Sequence, residues 1–553
     1  MVVPAVVPRT YESALKHLDS IQSNRAVTSL FTPRPAYLDN AGAGPSSPGP
    51  SIEDVNTVAI PEMLAWLRRA GLTTDELAAH LRCIHVAGTK GKGSVCAYLT
   101  SILVAEGAAA AGRVGTYTSP HLVSVRERIA IDGRPLSRDL FTRYFFEVWD
   151  ALTESARAET TAAGASATDE ELAGPATKPF YFRFVTLVAL HAFLREGVRS
   201  AVVECGIGGE YDSTNVLPAA AVTTTVVTQL GVDHEGMLGS TLPDIAWHKS
   251  GVCKSGRRCF TRSLSGRADA LEAMRVLRRR AADKGATLFE LSDAEVETWG
   301  GVRGREPGNF EGAFQKYNQA LALRAAAEHL WVLSREEERG ERPAVAVPEG
   351  GPQREGSLTA LEARFGDGVR AARLRGRCET KADGRLAWHI DGAHTEDSLA
   401  EAATWFVEKR RALAVGARAT ETKTKTVLLF NQQDRDVVRL LTALLAGLKS
   451  EDDGEGGKPS PVFDVAVFTR NELAPRGDPD LAVQRAAAHA MRRLSPPTAT
   501  LVADNVQDAV ARIRALAAPG PDADADAEVV VLATGSLHLV GALLRALEPE
   551  AEL

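Results

Sequence analysis

The chain has 553 residues, 44% apolar and 24% charged, which is too long for one hydrophobic core and ordinary for a globular protein, so a fibre, a disordered chain and a single small domain are excluded. A formal net charge of −7, with no dense Lys/Arg stripe interleaved with aromatics, argues against nucleic acid as a partner. Its six cysteines (Cys83, Cys96, Cys205, Cys253, Cys259, Cys378) are scattered without a CxxC pair, which excludes a zinc site or disulfide framework and suits a reducing compartment.

Residues 1–8 carry neither a charged n-region nor a cleavage pattern, and no apolar stretch approaches the roughly 18 residues that span a bilayer. A cytosolic protein is expected, with import into an organelle left open. Residues 33–50, 153–178, 334–356, 416–425, 451–461 and 519–528 are rich in Pro, Gly, Ala or charge without hydrophobic periodicity and read as loops or insertions. Between them, short Val/Ile-rich runs alternate with helical patterns, the rhythm of βαβ units around a parallel sheet.

In the first half the predicted strands are 83–87, 200–205 and 221–228, with helices at 95–106, 183–196, 315–333 and 358–365. In the second half the strands are 386–390, 426–430, 462–468, 498–502 and 529–533. Two α/β domains follow, 1–372 and 373–553.

The first predicted strand runs into GTKGKGS (Gly88 to Ser94) and then a helix, the order that a phosphate cradle requires. Glycines let backbone N–H groups turn toward phosphate oxygens, the helix start favours an anion, and Lys92 supplies a cation, with Ser94 in reach of Mg²⁺. The spacing departs from GxxxxGK[ST], with two residues between Gly88 and Gly91 and an extra Gly93 after the lysine. A glycine-rich turn without a ligand is the weaker alternative to ATP or GTP binding.

Ligands of parallel sheets sit beyond the carboxyl ends of the strands. Two further runs end in polar residues there: AVVECGIGGEYDSTN with Glu204, and VTTTVVTQLGVDHEGMLG with Asp233 and His234. A carboxylate closing a buried run is costly unless compensated, and Mg²⁺ on a nucleotide would compensate Glu204. His234 suits Mg²⁺ less, since that ion prefers oxygen. Thr241 and Asp244 resemble a capping box, which puts Lys249 on a short helix as either a solvated lysine or a phosphate contact.

GTKGKGS, YTSPHLVSVRERI, ECGIGGEYDSTN, LGVDHEGMLG, IAWHKSG, IDGAH and ATGSLHLVG resemble, in order, the motifs of the folylpolyglutamate synthases, and IPEMLAWLRRAG and LFTRYFFEVWD resemble the fungal members. The resemblance implies a Mur-ligase-like fold: a P-loop ATPase domain with a parallel-rich sheet, then a smaller Rossmann-like α/β domain. It implies ATP contacts from Gly88, Thr89, Gly91, Lys92, Gly93, Ser94, Asn318, Arg377 and Asp391, and Mg²⁺ ligation by Ser119, Glu204 and His234. It implies glutamate binding by His394 and Ser536, catalytic roles for Lys92, Lys249 and His394, and a carbamate on Lys249 as in some members. A capped turn is the equal alternative for His394 and Ser536. Thr395-Glu396 replaces the Asn-Pro of many bacterial members, and RLRGR stands where others read WPGR.

The implied reaction joins L-glutamate to the γ-carboxyl of a reduced folate at the expense of ATP, and a monomer with no nucleic-acid partner and no membrane span is expected. Mg²⁺ is the implied cofactor besides ATP, and a monovalent cation such as K⁺ is an open addition. Dihydrofolate synthase, a nucleotide-cycling regulator and a scaffold are the alternatives, in that order.

Overall fold

The computed structural model describes residues 8–21, 52–304, 310–339, 356–417, 424–433, 435–448, 462–475, 477, 480–517 and 528–549. The expected loops at 33–50 and 451–461, and most of those at 334–356, 416–425 and 519–528, lie outside the described residues. The chain divides into two compact units that are not single stretches. Met1–His121, Val125–Val302 and Lys316–Ala372 form the first, and Leu122–Ser124, Arg303–Gln315 and Arg373–Leu553 the second.

The first unit holds strands β1 (Arg82–Ala87), β2 (Arg113–Tyr117), β3 (Ile129–Ile131), β4 (Arg134–Pro135), β5 (Val198–Glu204), β6 (Val222–Val227), β7 (Arg258–Arg262) and β8 (Thr287–Leu291). They form one sheet in the order β4-β3-β2-β5-β1-β6-β7-β8. The strands from β2 to β8 in that order run parallel, and β3 and β4 continue antiparallel. β1 and β6 are buried at every residue, as expected for strands covered on both faces, and apart from Arg82 at the start of β1 their polar residues are threonines and His85. Two of those threonines donate to neighbouring carbonyls, Thr223 to Cys83 at 3.1 Å and Thr224 to Arg258 at 2.9 Å.

The second unit holds β9 (Glu379–Asp383), β10 (Leu386–Ile390), β11 (Thr424–Phe430), β12 (Val465–Thr469), β13 (Ala499–Ala503) and β14 (Glu528–Thr534), in the order β13-β12-β11-β14-β10-β9. All pairs are parallel except β9 with β10. Apolar clusters fill both faces, one around Trp405, Phe406, Phe430, Phe463 and Phe468, the other around Trp388, Ile390, Val531 and Leu543.

Two expectations are corrected. Residues 153–178 are not a loop: the helix Arg138–Ala162 continues through their first third, and a second helix, Asp169–Ala173, starts on a capping box of Thr168 and Glu171. The Ala-, Glu- and Arg-rich stretch has high helix propensity although its apolar face fades. The ammonium of Lys178, itself buried, closes the segment by donating to the hydroxyl of Thr177 at 2.6 Å and the carbonyl of Leu172 at 3.3 Å. Second, the helix Lys92–Ala111 is long and apolar enough to cross a membrane, contrary to the expectation that no such stretch exists; half of its most apolar window is buried inside the protein. A helix that is apolar on all sides suits the interior of a large α/β unit, and Val95, Leu99, Ile102 and Leu103 are all inaccessible here.

Candidate active site

In the first unit β1 lies between β5 and β6, so the three polar strand ends singled out in the sequence are neighbours. Val86 is in register with Glu204, and Ala87 with Val227. The loop after β1 is anchored to the one after β6: the N–H groups of Thr89 and Lys90 both donate to the Gln229 carbonyl, at 3.0 and 3.2 Å. The Thr228 hydroxyl donates to the Lys90 carbonyl at 2.6 Å, and that of Thr89 to the Gly231 carbonyl at 2.8 Å.

Two glycines make this closeness possible. A Cβ on Gly88 would fall 1.7 Å from the Thr228 hydroxyl oxygen, and one on Gly91, whose φ is +85°, would fall 2.3 Å from Oδ1 of Asn318. The Asn318 amide, buried in the first turns of the helix Gln315–Arg339, therefore lies against the phosphate loop. Gly91 is the residue before the helix Lys92–Ala111, and the first-turn N–H groups of Lys92, Gly93 and Ser94 have no acceptor within that helix.

Two lysines meet at one point of this loop. Nζ of Lys92 and Nζ of Lys249 each donate to the Gly88 carbonyl oxygen at 2.9 Å, and Lys92 also reaches the Thr89 carbonyl at 3.4 Å. Lys249 ends the helix Leu242–Lys249, which Thr241 caps by accepting from the Asp244 N–H. Lys249 is only 3% exposed, so it is not a solvated surface lysine. Burial, and then the like charge of Lys92, lower its pKa to about 7.

Glu204 ends β5 and is 3% exposed. One of its carboxylate oxygens accepts the Ser119 N–H at 2.8 Å, so two of the three expected metal ligands are joined directly. The third, His234, sits in left-handed backbone (φ 55°, ψ 42°) before a single turn of helix, with its side chain half-exposed and 4.0 Å from the Asp233 carboxylate. A non-glycine residue held there is uncommon. Among the described residues no group of three or more His, Cys, Asp or Glu surrounds one point. A carboxylate and a hydroxyl still fit a hard divalent ion that takes its remaining oxygens from phosphates and water.

In the second unit β14 lies between β10 and β11, so the loops after these strands are adjacent. The buried carboxylate of Asp391 accepts the N–H groups of Ala393 and Cys378, each at 2.9 Å, tying the loop after β10 to the turn that carries Arg377. A Cβ on Gly392 would fall 3.4 Å from the Arg377 guanidinium. His394 donates from Nδ1 to the Gly392 carbonyl at 2.9 Å. Ser536 caps the helix Leu537–Leu547, its hydroxyl accepting from His538 and Leu539 N–H groups at 3.2 and 3.4 Å. The capped turn considered for Ser536 is thus present, and the Gly535 N–H donates to the Ala393 carbonyl at 2.9 Å, so Ser536 and His394 flank one hydrogen-bonded crossing. Thr228, which holds the phosphate loop, was not singled out, although a polar residue closing the β6 run is the signal that marked Glu204.

A phosphate loop beside a strand-end acid, on an α/β unit followed in sequence by a second parallel α/β unit, is the architecture of ligases that energise a carboxylate with ATP. No family model matches the chain. It is 35% identical to the folylpolyglutamate synthase of Neurospora crassa over 98% of this chain and 92% of that one, and 34% identical to that of Saccharomyces cerevisiae over 98% and 87%. Among solved structures it is similar to a Mycobacterium tuberculosis folylpolyglutamate synthase complexed with ADP and AMPPCP (25% identity, TM-score 0.57, 90% of this chain and 95% of that one). The apo form of L. casei FPGS shares the fold at 22% identity and TM-score 0.58, over 97% of this chain and 99% of that one. The chain belongs to the folylpolyglutamate synthase family, the ATP-dependent ligases that add glutamate to folates.

Proposed function

We propose that the γ-carboxylate of a reduced folate takes the terminal phosphoryl group of ATP at this site, and that the amine of L-glutamate then displaces phosphate from the acyl phosphate to form the amide. The observation that carries this reading is the convergence of the phosphate loop, Glu204 with Ser119, and the two lysines at neighbouring strand ends. Thr89 and Lys90 spend their N–H groups on Gln229, which leaves the helix start at Lys92, Gly93 and Ser94 to hold phosphate oxygens. Lys92 would exchange the Gly88 carbonyl for a phosphate oxygen, and Asn318 would contact the nucleotide beside Gly91. In the second unit Arg377 is the proposed phosphate contact, held in place through Asp391, while His394 and Ser536 receive glutamate. Ser119, Glu204 and His234 would hold Mg²⁺, which supplies charge neutralisation on the phosphates when bound.

The test is a product assay with ATP, Mg²⁺, glutamate and either tetrahydrofolate or dihydropteroate, omitting each component in turn. Masses rising by successive glutamyl units on tetrahydrofolate are expected. Product from dihydropteroate alone would make the enzyme a dihydrofolate synthase, and ADP without any amide would end the ligase reading. The names of the fungal relatives favour the first outcome. The same assay in potassium-free buffer reads whether K⁺ is needed.

A lysine whose pKa is lowered to about 7 is largely neutral at physiological pH, and only a neutral amine can attack CO₂. Lys249 is therefore proposed to carry a carbamate, with the charge of Lys92 beside it to stabilise the anion. Incubation with ¹³C-bicarbonate should give one carbamate carbon resonance that strengthens as pH rises from 6 to 8 and is missing in Lys249→Arg. No such resonance at pH 8 would leave Lys249 an amine.

A further inference from the structure

The second unit contains a row of buried and half-buried side-chain amides that the proposed roles do not use. Asn431, directly after β11 and 2% exposed, donates to Oδ1 of Asn471 at 2.8 Å and accepts from Nε2 of Gln484 at 2.9 Å. The next residue, Gln432, donates from Nε2 to the Gly535 carbonyl at 3.1 Å, while its own carbonyl accepts the Gln433 N–H at 2.9 Å.

Gly535 is therefore held from both sides. Its N–H is bound to the loop that carries His394, and its carbonyl to the loop after β11. The β11–β14 ladder ends at Phe430 and Thr534, so the Gly535 carbonyl lies one residue beyond it and takes its donor from a side chain. The backbone there has φ +104°, and a Cβ would fall 2.6 Å from the Asn431 carbonyl and 2.7 Å from the Phe430 ring, so the peptide is pressed onto the end of β11. Rotation of that peptide would turn the Ser536 hydroxyl and the start of its helix.

We infer that Gln432 is a positioning residue for glutamate: its amide fixes the Gly535–Ser536 peptide, and through the Gly535–Ala393 bond the spacing between Ser536 and His394, with Asn431, Asn471 and Gln484 as its rigid backing. This inference rests on His394 and Ser536 being the glutamate site. Neutral hydrogen bonds of this kind contribute about 1 kcal/mol, which corresponds to about a five-fold change in affinity.

Gln432→Met keeps the length of the side chain and removes the donor. It should raise the KM for glutamate about five-fold while leaving the KM values for ATP and folate and the melting temperature near those of the unaltered protein. An unchanged glutamate KM, or a parallel rise in all three KM values, would overturn the role. Gln432→Glu, which cannot donate either, takes its place if the methionine variant does not fold. His394→Ala and Ser536→Ala are measured alongside. If both leave the glutamate KM unchanged, the site assignment fails and this inference with it; if they raise it and Gln432→Met does not, only the role of Gln432 falls.

Discussion

Glu204→Gln is expected to lose about 10³-fold or more in kcat at saturating Mg²⁺ while the protein stays folded. The amide has the shape of the carboxylate and its carbonyl oxygen can still accept the Ser119 N–H, now 2.8 Å away, so the loop should keep its place. What disappears is the negative charge at a 3% exposed position next to the phosphate loop. A buried carboxylate that serves only the fold would tolerate an isosteric neutral replacement, because no desolvated charge is left behind. Steady-state turnover, with circular dichroism as the check on folding, separates the two cases: near-normal turnover would remove Glu204 from the metal site.

Lys92→Ala should lose turnover by about 10²- to 10³-fold for a different reason. The lysine begins the helix after the phosphate loop, and its ammonium lies on the carbonyls of Gly88 and Thr89. Its removal takes away the cation that would meet charge developing on the transferred phosphoryl group. It also removes the like charge that helps to hold down the pKa of Lys249, so that lysine should shift upward toward its ordinary range. Single-turnover formation of ADP should fall with kcat, whereas nucleotide binding measured by calorimetry should weaken less. Retention of full single-turnover chemistry would assign Lys92 to the loop's structure alone.

The sequence made the core of both units legible where strands are buried on both faces. The runs at 83–87 and 386–390 (CIHVA and LAWHI) match β1 and β10 to within one residue, because short, mostly apolar runs between turn signals have few alternatives. β2 went unseen because Gly115 interrupts it, and there a Cβ would fall 2.8 Å from the Phe193 ring; the strand needs a small residue that reads as a breaker. β8 and β9 lie at sheet edges with half-exposed, mixed sequences (TLFEL and ETKAD), which carry neither alternation nor an apolar run.

At the site, strand-end logic found Glu204 and the Gly88 loop directly. The burial of Lys249 against Gly88 was beyond reach, since a helical pattern of eight residues does not say which face meets a loop 161 positions earlier. Gln432 escaped for a related reason: an amide after an apolar run looks like any loop residue until the strand order puts Gly535 beside it.

That strand order also bears on how the protein is made. β14 comes after β10, β11, β12 and β13 in the chain, yet it is the plank between β10 and β11. While the ribosome is still synthesising residues before 528, the second unit has two half-sheets with open inner edges that cannot join. Such edges invite pairing with other nascent chains. In the first unit β5 likewise follows β1 to β4 in the chain and fills the gap between β2 and β1, but that wait ends once Glu204 is made.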